Sequence, residues 1–257
     1  MKLATWNVNS IRARLTHVLD WLVANGPDVL CLQETKCVDE AFPFEPFREA
    51  GYHVVHVGQR AYNGVAALTR APPSDVVKAP PGLDGEQKRV LALSVDGVRV
   101  VNVYVPNGER VGSPKYEFKL AWLETLRAWL EREAAAHARV AVVGDFNVAP
   151  EERDVHDPRL WRNQVLFSEP ERAALHRIMA AGFEDVFRRF EQPPASYSWW
   201  DYRQGAFRRN LGLRIDLILA SAALAERCRA CTIDKTPRGR ERPSDHAPVI
   251  AEFDLAP

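Results

Sequence analysis

The sequence predicts an α/β fold with mixed sheets. Short runs of apolar and β-branched residues alternate along the chain with segments in which apolar residues recur at helical spacing. This alternation is typical of sheets that are covered by helices. The pair Asp96-Gly97 separates two adjacent strand-like runs, and Asp-Gly is a strong hairpin signal. Because hairpins join antiparallel strands, we expect mixed sheets rather than sheets in which every strand is parallel.

The individual elements follow from the same patterns. Apolar runs predict strands at residues 3–6, 29–32, 54–57, 64–68, 90–95, 98–104, 140–143, 215–220 and 249–253. Helical spacing predicts helices at residues 11–22, from Ser113-Pro114 onward, and at residues 170–180. The Pro-rich segments between them are short, so we interpret them as loops and expect residues 1–257 to form a single domain.

Composition narrows the class of protein. The 257 residues include 34 Lys plus Arg and 34 Asp plus Glu, and the resulting net charge of zero argues against a protein that coats nucleic acid non-specifically. A local basic face around an acidic centre is still compatible with this balance. No apolar run approaches the length of a membrane span and no secretion signal is visible, so we expect a cytoplasmic protein without a membrane partner.

The cysteines give little evidence of a metal or redox site. Cys228 and Cys231 have a spacing that zinc and redox sites use, but no second pair or His cluster completes a zinc set. Cys31 lies inside an apolar run, where a buried thiol is the simpler interpretation.

Polar residues of similar chemistry stand at the ends of several predicted strands. They are Asn7, Glu34, Tyr104, Asp145, Asn147, Asp216, Asp245 and His246. Taken singly, each has an ordinary structural interpretation, such as a turn former or a helix cap. Strand ends on a rigid sheet are nevertheless where α/β folds place their sites, so we expect these side chains to meet.

The chemistry of this set favours a hard divalent cation. Carboxylate and amide oxygens suit Mg²⁺ or Mn²⁺, whereas a set with one His and no Cys disfavours zinc. A carboxylate beside an amide can orient a water, and a His with an Asp partner can stabilise developing negative charge. The inventory therefore suits in-line hydrolysis of a phosphodiester.

Six stretches, in order along nearly the whole chain, carry a family resemblance. They are Thr5-Trp6-Asn7-Val8-Asn9, Leu32-Gln33-Glu34-Thr35-Lys36, Tyr104-Val105-Pro106-Asn107-Gly108, Gly144-Asp145-Phe146-Asn147, Gly212-Leu213-Arg214-Ile215-Asp216 and Ser244-Asp245-His246-Ala247-Pro248. Together they resemble the exonuclease III family of apurinic/apyrimidinic endonucleases. The resemblance implies a four-layer α/β sandwich with two central mixed β-sheets flanked by helices. It also implies incision of duplex DNA 5′ to abasic sites, leaving a 3′-hydroxyl, with additional trimming of 3′ ends.

The resemblance assigns catalytic roles position by position. Asp145 matches the group that activates or orients the attacking water, and Asn147 supports it. His246 matches the phosphate contact and Asp216 its partner, while Tyr104 matches a tyrosine beside the scissile phosphate. Whether Asp145 or the His246–Asp216 pair takes the proton is open at this point.

The resemblance also implies metal and DNA contacts. Glu34 matches the main metal ligand, with Asn7 and Asp245 near the metal. The expected DNA-binding residues are Lys36, Arg89, Asn107, Arg110, Arg203, Trp199, Leu213 and Ile215. Trp199, Leu213 and Ile215 are candidates to line a pocket for a deoxyribose that lacks its base, although burial in the core is a serious rival for Ile215. The expected partner is double-stranded DNA with abasic sites or blocked 3′ ends, bound by a monomer.

Three alternatives stay open. The same fold carries other phosphoesterases, such as phosphoinositide phosphatases and sphingomyelinases, and a fold does not settle the substrate. A second alternative is a DNA-binding module without catalysis, against which the complete set of site residues argues. A third is an enzyme that is mainly a 3′→5′ exodeoxyribonuclease with weak abasic-site incision, because the segment from Asp154 to Ser168 matches the family poorly.

Overall fold

Two six-stranded sheets lie at the centre of the computed structural model, which describes residues 1–83 and 85–255. The first sheet contains β1 (Lys2–Asn7), β2 (Val29–Gln33), β3 (His53–Val57), β4 (Val65–Thr69), β11 (Cys228–Ile233) and β12 (Val249–Phe253). The second contains β5 (Ser74–Val77), β6 (Val90–Val95), β7 (Val98–Tyr104), β8 (Val140–Asp145), β9 (Phe183–Asp185) and β10 (Asp216–Ser221). Their orders are β11-β12-β1-β2-β4-β3 and β5-β6-β7-β8-β10-β9.

Both sheets are mixed, as predicted. In the first sheet β1 and β2 are parallel, and in the second β7 and β8 are parallel, whereas the other strand pairs run antiparallel. The turn at Asp96-Gly97 joins β6 to β7 as an antiparallel hairpin. The hairpin predicted from the Asp-Gly pair is therefore confirmed.

Helices cover the outer face of each sheet. The helices are α1 (Ile11–Asn25), α2 (Phe44–Glu49), α3 (Pro114–Ala136), α4 (Pro158–Trp161), α5 (Glu169–Ala180) and α6 (Ala222–Ala225). Of these, α1 and α2 lie on the outer face of the first sheet and α3 and α5 on that of the second, while α6 packs into the core between the sheets. Ser113 caps α3 by accepting a hydrogen bond from the amide of Tyr116, and a left-handed Gly26 ends α1.

The hydrophobic core is divided by these layers. The two sheets pack against each other through side chains such as Val29 and Val143. Trp21 of α1 packs on the outer face of the first sheet, and Leu123 of α3 and Leu175 of α5 pack on that of the second. The order helix, sheet, sheet, helix confirms the expected four-layer α/β sandwich.

All four cysteines are buried as free thiols. Cys31 lies in β2, and Cys228 and Cys231 lie in β11, where they pack into the core between the sheets. Over residues 1–83 and 85–255, no helix combines the length and the apolar character that a membrane crossing requires.

Candidate active site

Strand register brings three of the expected site residues into one row of the second sheet. Asp145 ends β8 and pairs with Tyr104 on the parallel strand β7 and with Asp216 on the antiparallel strand β10. Side chains in register on neighbouring strands point to the same face of a sheet. A carboxylate row with an adjacent phenol therefore forms where β8 ends.

The first sheet supplies the facing residues. Asn7 ends β1 and pairs with Gln33 on the parallel strand β2. Glu34 directly follows Gln33 in the chain. The Asn7 Nδ2 donates to Glu34 Oε1 at 2.8 Å and to Asp145 Oδ2 at 2.9 Å. One amide thus connects a carboxylate of each sheet, and the site lies where the two sheets meet.

Asn147 holds the other side of Asp145. Its backbone N–H donates to Asp145 Oδ1 at 2.9 Å, and its Nδ2 lies 3.2 Å from Asp145 Oδ2. Asn147 has a left-handed backbone (φ 48°), a conformation that asparagine tolerates better than most residues. The Asp145 carboxylate is therefore fixed in orientation by Asn7 and Asn147.

His246 and Asp216 form a buried pair beside this carboxylate. The His246 Nδ1 lies 2.9 Å from Asp216 Oδ2, and its Nε2 lies 3.7 Å from Asp145 Oδ2. Ser198 donates its hydroxyl to Asp216 Oδ2 at 2.6 Å and accepts from the amides of Ile215 and Asp216. The sequence analysis missed Ser198, although its place directly before Trp199 in an aromatic segment was a usable signal.

Burial and neighbouring charges shift the pKa values in opposite directions. Burial raises the pKa of Asp145 to about 7, and the carboxylates of Asp216 and Glu34 add to this against the lowering effect of His246 and Asn7. Burial by itself lowers the pKa of His246, but the carboxylates of Asp216 and Asp145 outweigh it and raise that pKa to about 10. At neutral pH His246 is therefore an imidazolium, and Asp145 can both take up and release a proton.

Among residues 1–83 and 85–255, Glu34, Asp145 and His246 form a cluster with the geometry of a metal site. Their ligand-type atoms all lie within 4.8 Å of one another. The carboxylates of Glu34 and Asp145 offer oxygen donors, and His246 offers a ring nitrogen when its ring is neutral. Carboxylate oxygens are hard ligands, and this donor set fits a hard divalent cation.

Asn7 and Asp245, both expected near the metal, are engaged in hydrogen bonds in this structure. The Asn7 Oδ1 accepts from the Asn9 amide, and its Nδ2 faces the two carboxylates. Asp245 accepts from Asn9 Nδ2 at 2.9 Å and from Trp199 Nε1 at 3.0 Å. Their place near the metal stays a prediction.

Glu34 is oriented by two further residues. Lys36 Nζ lies 2.8 Å from Glu34 Oε2, and the Tyr104 hydroxyl is close enough to the same carboxylate for the two to interact electrostatically. Burial, together with Glu34 and Asp145, raises the pKa of Tyr104 well above its usual range. Tyr104 is therefore a neutral donor, as a contact to an anionic substrate requires. Arg89 stacks on the Tyr104 ring with its guanidinium carbon 4.6 Å from the ring centre.

The expected DNA contacts are distributed unevenly around the cluster. Asn107 is exposed and donates to Asn147 Oδ1 at 3.3 Å, which places it beside the site. Arg110 is also exposed, close by in the loop before α3. Arg203 is exposed on a different loop, where it forms an ion pair with Asp201.

The expected apolar pocket is only partly accessible. Trp199 is half-buried and reaches Asp245 with its indole N–H. Leu213 and Ile215 are 0% and 1% exposed and pack in a hydrophobic cluster with Val155 and Phe167. Backbone bridges from Leu213 to Val155 and to Trp199 cover this segment. Leu213 and Ile215 are therefore core residues in this structure, as the rival interpretation of Ile215 has it, and their contact with DNA stays a prediction.

Taken together, the site brings the carboxylates of Glu34 and Asp145, which can hold a cation or orient a water, beside a His–Asp pair that can stabilise developing negative charge. Fold and site define a metal-assisted hydrolase of phosphate esters. The chain belongs to the Endonuclease/Exonuclease/phosphatase family, whose sequence profile matches residues 4–246.

Individual relatives narrow this further. The chain is 38% identical to exodeoxyribonuclease III of Haemophilus influenzae, over 98% of this chain and 100% of that protein. Two solved structures are each 44% identical and cover 99% of this chain and 100% of theirs. They are the 3′–5′ exonuclease NExo of Neisseria meningitidis, with a TM-score of 0.97, and an AP endonuclease of Archaeoglobus fulgidus, with a TM-score of 0.95. The resemblance to the exonuclease III family is confirmed.

Proposed function

We propose that this chain is a metal-dependent DNA-repair hydrolase that incises duplex DNA 5′ to abasic sites, leaves a 3′-hydroxyl and trims blocked 3′ ends. The observation that carries the proposal is the junction of Glu34 and Asp145 through Asn7, with the His246–Asp216 pair beside it. Full-length similarity to exonucleases and an AP endonuclease supports DNA as the substrate, ahead of inositol phosphates or sphingolipids.

We propose that Asp145, rather than the His246–Asp216 pair, accepts the proton. The carboxylates of Asp216 and Asp145 raise the pKa of His246 to about 10, and a protonated ring has no lone pair with which to accept a proton. Asp145, oriented by Asn147, positions the attacking water in line with the leaving oxygen and accepts its proton. His246, held by Asp216, donates to a phosphate oxygen as negative charge develops.

We propose Glu34 as the main ligand of the cation, with Asn7 and Asp245 near it, so that Asp145 stays free to handle the water. A bound divalent cation supplies positive charge that polarises the phosphate. Oxygen donors favour Mg²⁺ or Mn²⁺, and we propose one of these as the ion. Tyr104 and Lys36 hold Glu34 in place for it. We further propose that the chain acts as a monomer, which light scattering of the purified protein tests.

A pair of duplexes tests the activity. One carries a single abasic site and the other has the same sequence with the base present, and both are incubated with Mg²⁺ or with chelator. We expect a cut 5′ to the abasic site in the presence of Mg²⁺, a 3′ end that a polymerase extends, and an intact control duplex. Comparable cleavage of both duplexes, or full activity in chelator, would contradict the proposal.

Glu34→Gln is the matched variant for the metal. It keeps the size of the side chain and removes the charge that neutralises the cation, so activity should fall strongly while the fold is retained. An unimpaired Glu34→Gln variant would remove Glu34 from the metal site. A third duplex with a 3′-phosphate end measures trimming, and rapid trimming with slow abasic incision would favour the exodeoxyribonuclease alternative. That alternative stays open because the chain is 44% identical to relatives of both kinds.

A further inference from the structure

Lys119 is a fully buried lysine on the inner face of α3, behind the candidate active site. Burying an ammonium group is unfavourable unless all its protons find partners. Lys119 Nζ donates to the carbonyl of Asn147 at 2.6 Å, to the carbonyl of Asn107 at 3.0 Å and to Glu171 Oε1 at 2.5 Å. Its three donors are therefore matched by three acceptors.

Glu171 joins this group to the start of α5. It is also fully buried, and it belongs to a capping box with Ser168. Its Oε1 accepts from the Leu166 amide at 3.0 Å, and its Oε2 accepts from the Ser168 amide at 3.0 Å. The ion pair thus fixes α3, the loop before α5 and two carbonyls of the site relative to one another.

One of those two carbonyls belongs to Asn147, which contacts the proposed base, and the other to Asn107, which contacts Asn147. Asn147 donates to Asp145 from its backbone and from its side chain, and Asn107 donates to Asn147 Oδ1 at 3.3 Å. The left-handed backbone of Asn147 is the kind of conformation that surrounding structure must maintain. Lys119 supplies that support through its bond to the Asn147 carbonyl.

We propose that Lys119 is a positioning residue whose ammonium holds Asn147 and Asn107 so that Asp145 keeps the orientation needed for hydrolysis. The proposal deepens the proposed function and rests on it. Sequence gives no indication of this role, because a lysine on a helix is ordinarily solvated.

Lys119→Met, compared with Arg99→Met, separates positioning from stability. Arg99 is also buried and forms an ion pair with α3, through Glu133 at 2.6 Å, but it lies at the opposite end of that helix from Lys119. Both variants should lower the melting temperature. Only Lys119→Met should lower the single-turnover rate on abasic DNA, by about 10²-fold, the scale of a misplacement near 1 Å, with the Kd for DNA nearly unchanged. A wild-type rate in Lys119→Met, or an equal loss in Arg99→Met, would overturn the proposal.

Two additions keep the test decisive. Lys119→Met leaves the Glu171 carboxylate buried without its partner, which can prevent folding. The double variant Lys119→Met/Glu171→Gln removes both charges and should show the same loss of rate. Hydrogen exchange of the Asn147 amide, which is bonded to Asp145, should accelerate in either Lys119 variant and not in Arg99→Met. Unchanged exchange would refute the positioning role even if the wild-type protein cut no DNA, whereas a wild-type protein inactive on DNA would refute only the proposed function.

Discussion

At the scale of single residues, Asp145 is the point on which the site's hydrogen bonds converge. It accepts from Asn7 and Asn147 and lies 3.7 Å from His246, inside a nearly closed environment. If it takes the proton from water, Asp145→Asn should lower the single-turnover rate by about 10²–10⁴-fold, the range for a general base. DNA affinity should hold or increase, because a negative charge near the phosphate is removed.

Asp20→Asn is a suitable control for Asp145→Asn, since Asp20 is an exposed carboxylate that pairs with Arg240 away from the site. It should leave the single-turnover rate unchanged. A wild-type rate in Asp145→Asn would instead mean that another group accepts the proton from water.

His56 shows how a buried residue makes stability depend on pH. Its imidazole lies 2.8 Å from Thr35 Oγ1 and 2.8 Å from Asp39 Oδ1. Burial lowers the pKa of His56 to about 4, although Asp39 acts to raise it. The fold therefore prefers the neutral ring, and its stabilising effect is complete above pH 6.5 and is lost as the pH falls toward 4.

The free energy of unfolding measured from pH 7.5 to 4.5 should reveal this loss, which approaches about 3 kcal/mol for a shift of this size. His56→Gln keeps a polar side chain that does not titrate, so its stability should fall less steeply over the same interval. Parallel curves for the two proteins would show that His56 does not carry the effect.

At the scale of elements, the sequence predicted the strands and helices that are buried. The strands at the sheet centres, β1, β2, β7 and β8, are rich in apolar residues and buried along nearly their whole length, because both their faces are covered. The strands β5, β9 and β11 were missed. All three lie at sheet edges, β9 has only 3 residues, and β5 has largely exposed side chains, so their hydrophobic pattern is weak.

The site residues were predictable to the extent that they follow strands. Asp145 and Glu34 each stand at the end of a recognisable apolar run, and a rigid sheet then brings them together. Ser198 and Lys119 come from a loop and a helix face, where sequence spacing says nothing about which distant group they reach. The burial of Leu213 could not be predicted from its place in a motif, because a residue beside a motif can as easily lie under the site as line it.

Gly144 lies in β8 at a position where the neighbouring strand β7 leaves no room for a side chain. Its φ is 146°, and a β-carbon there would lie 1.9 Å from the Val103 carbonyl oxygen of β7. Gly144→Ala must therefore push β7 and β8 apart directly beside Asp145. We expect a loss of more than about 3 kcal/mol of stability, beyond the usual range for a point substitution.

Gly97→Ala is the comparison for Gly144→Ala. Gly97 also has a left-handed backbone, in the β6–β7 turn, but open space surrounds its β-carbon position. Its substitution should destabilise by only about 1–2 kcal/mol, the conformational cost alone. Similar melting temperatures for the two variants would show that β7 and β8 accommodate the added methyl group.

At the scale of the whole molecule, the way the two sheets pack against each other determines the geometry of the site. Glu34 belongs to the first sheet and Asp145 to the second, so their separation depends on how the sheets sit on each other. A buried polar bridge fixes this relation: Asn102 of β7 donates to the carbonyls of Leu32 and Ala66 and accepts from Gln33 Nε2 at 2.8 Å. Gln33 directly precedes Glu34, so the bridge acts on the chain at the metal site.

Asn102→Leu tests this relation, because it keeps the volume and removes all three hydrogen bonds. Leaving buried polar groups unpaired should cost about 2–4 kcal/mol of stability. Mg²⁺ affinity, measured by calorimetry on folded protein, should also fall, because the distance between Glu34 and Asp145 is no longer fixed by the bridge between the sheets. Leu126→Ala, in the core between α3 and the second sheet, should lose comparable stability, about 2–5 kcal/mol, and keep its Mg²⁺ affinity. Equal Mg²⁺ affinities in the two variants would mean that hydrogen bonding through Asn7 alone holds the two carboxylates in register.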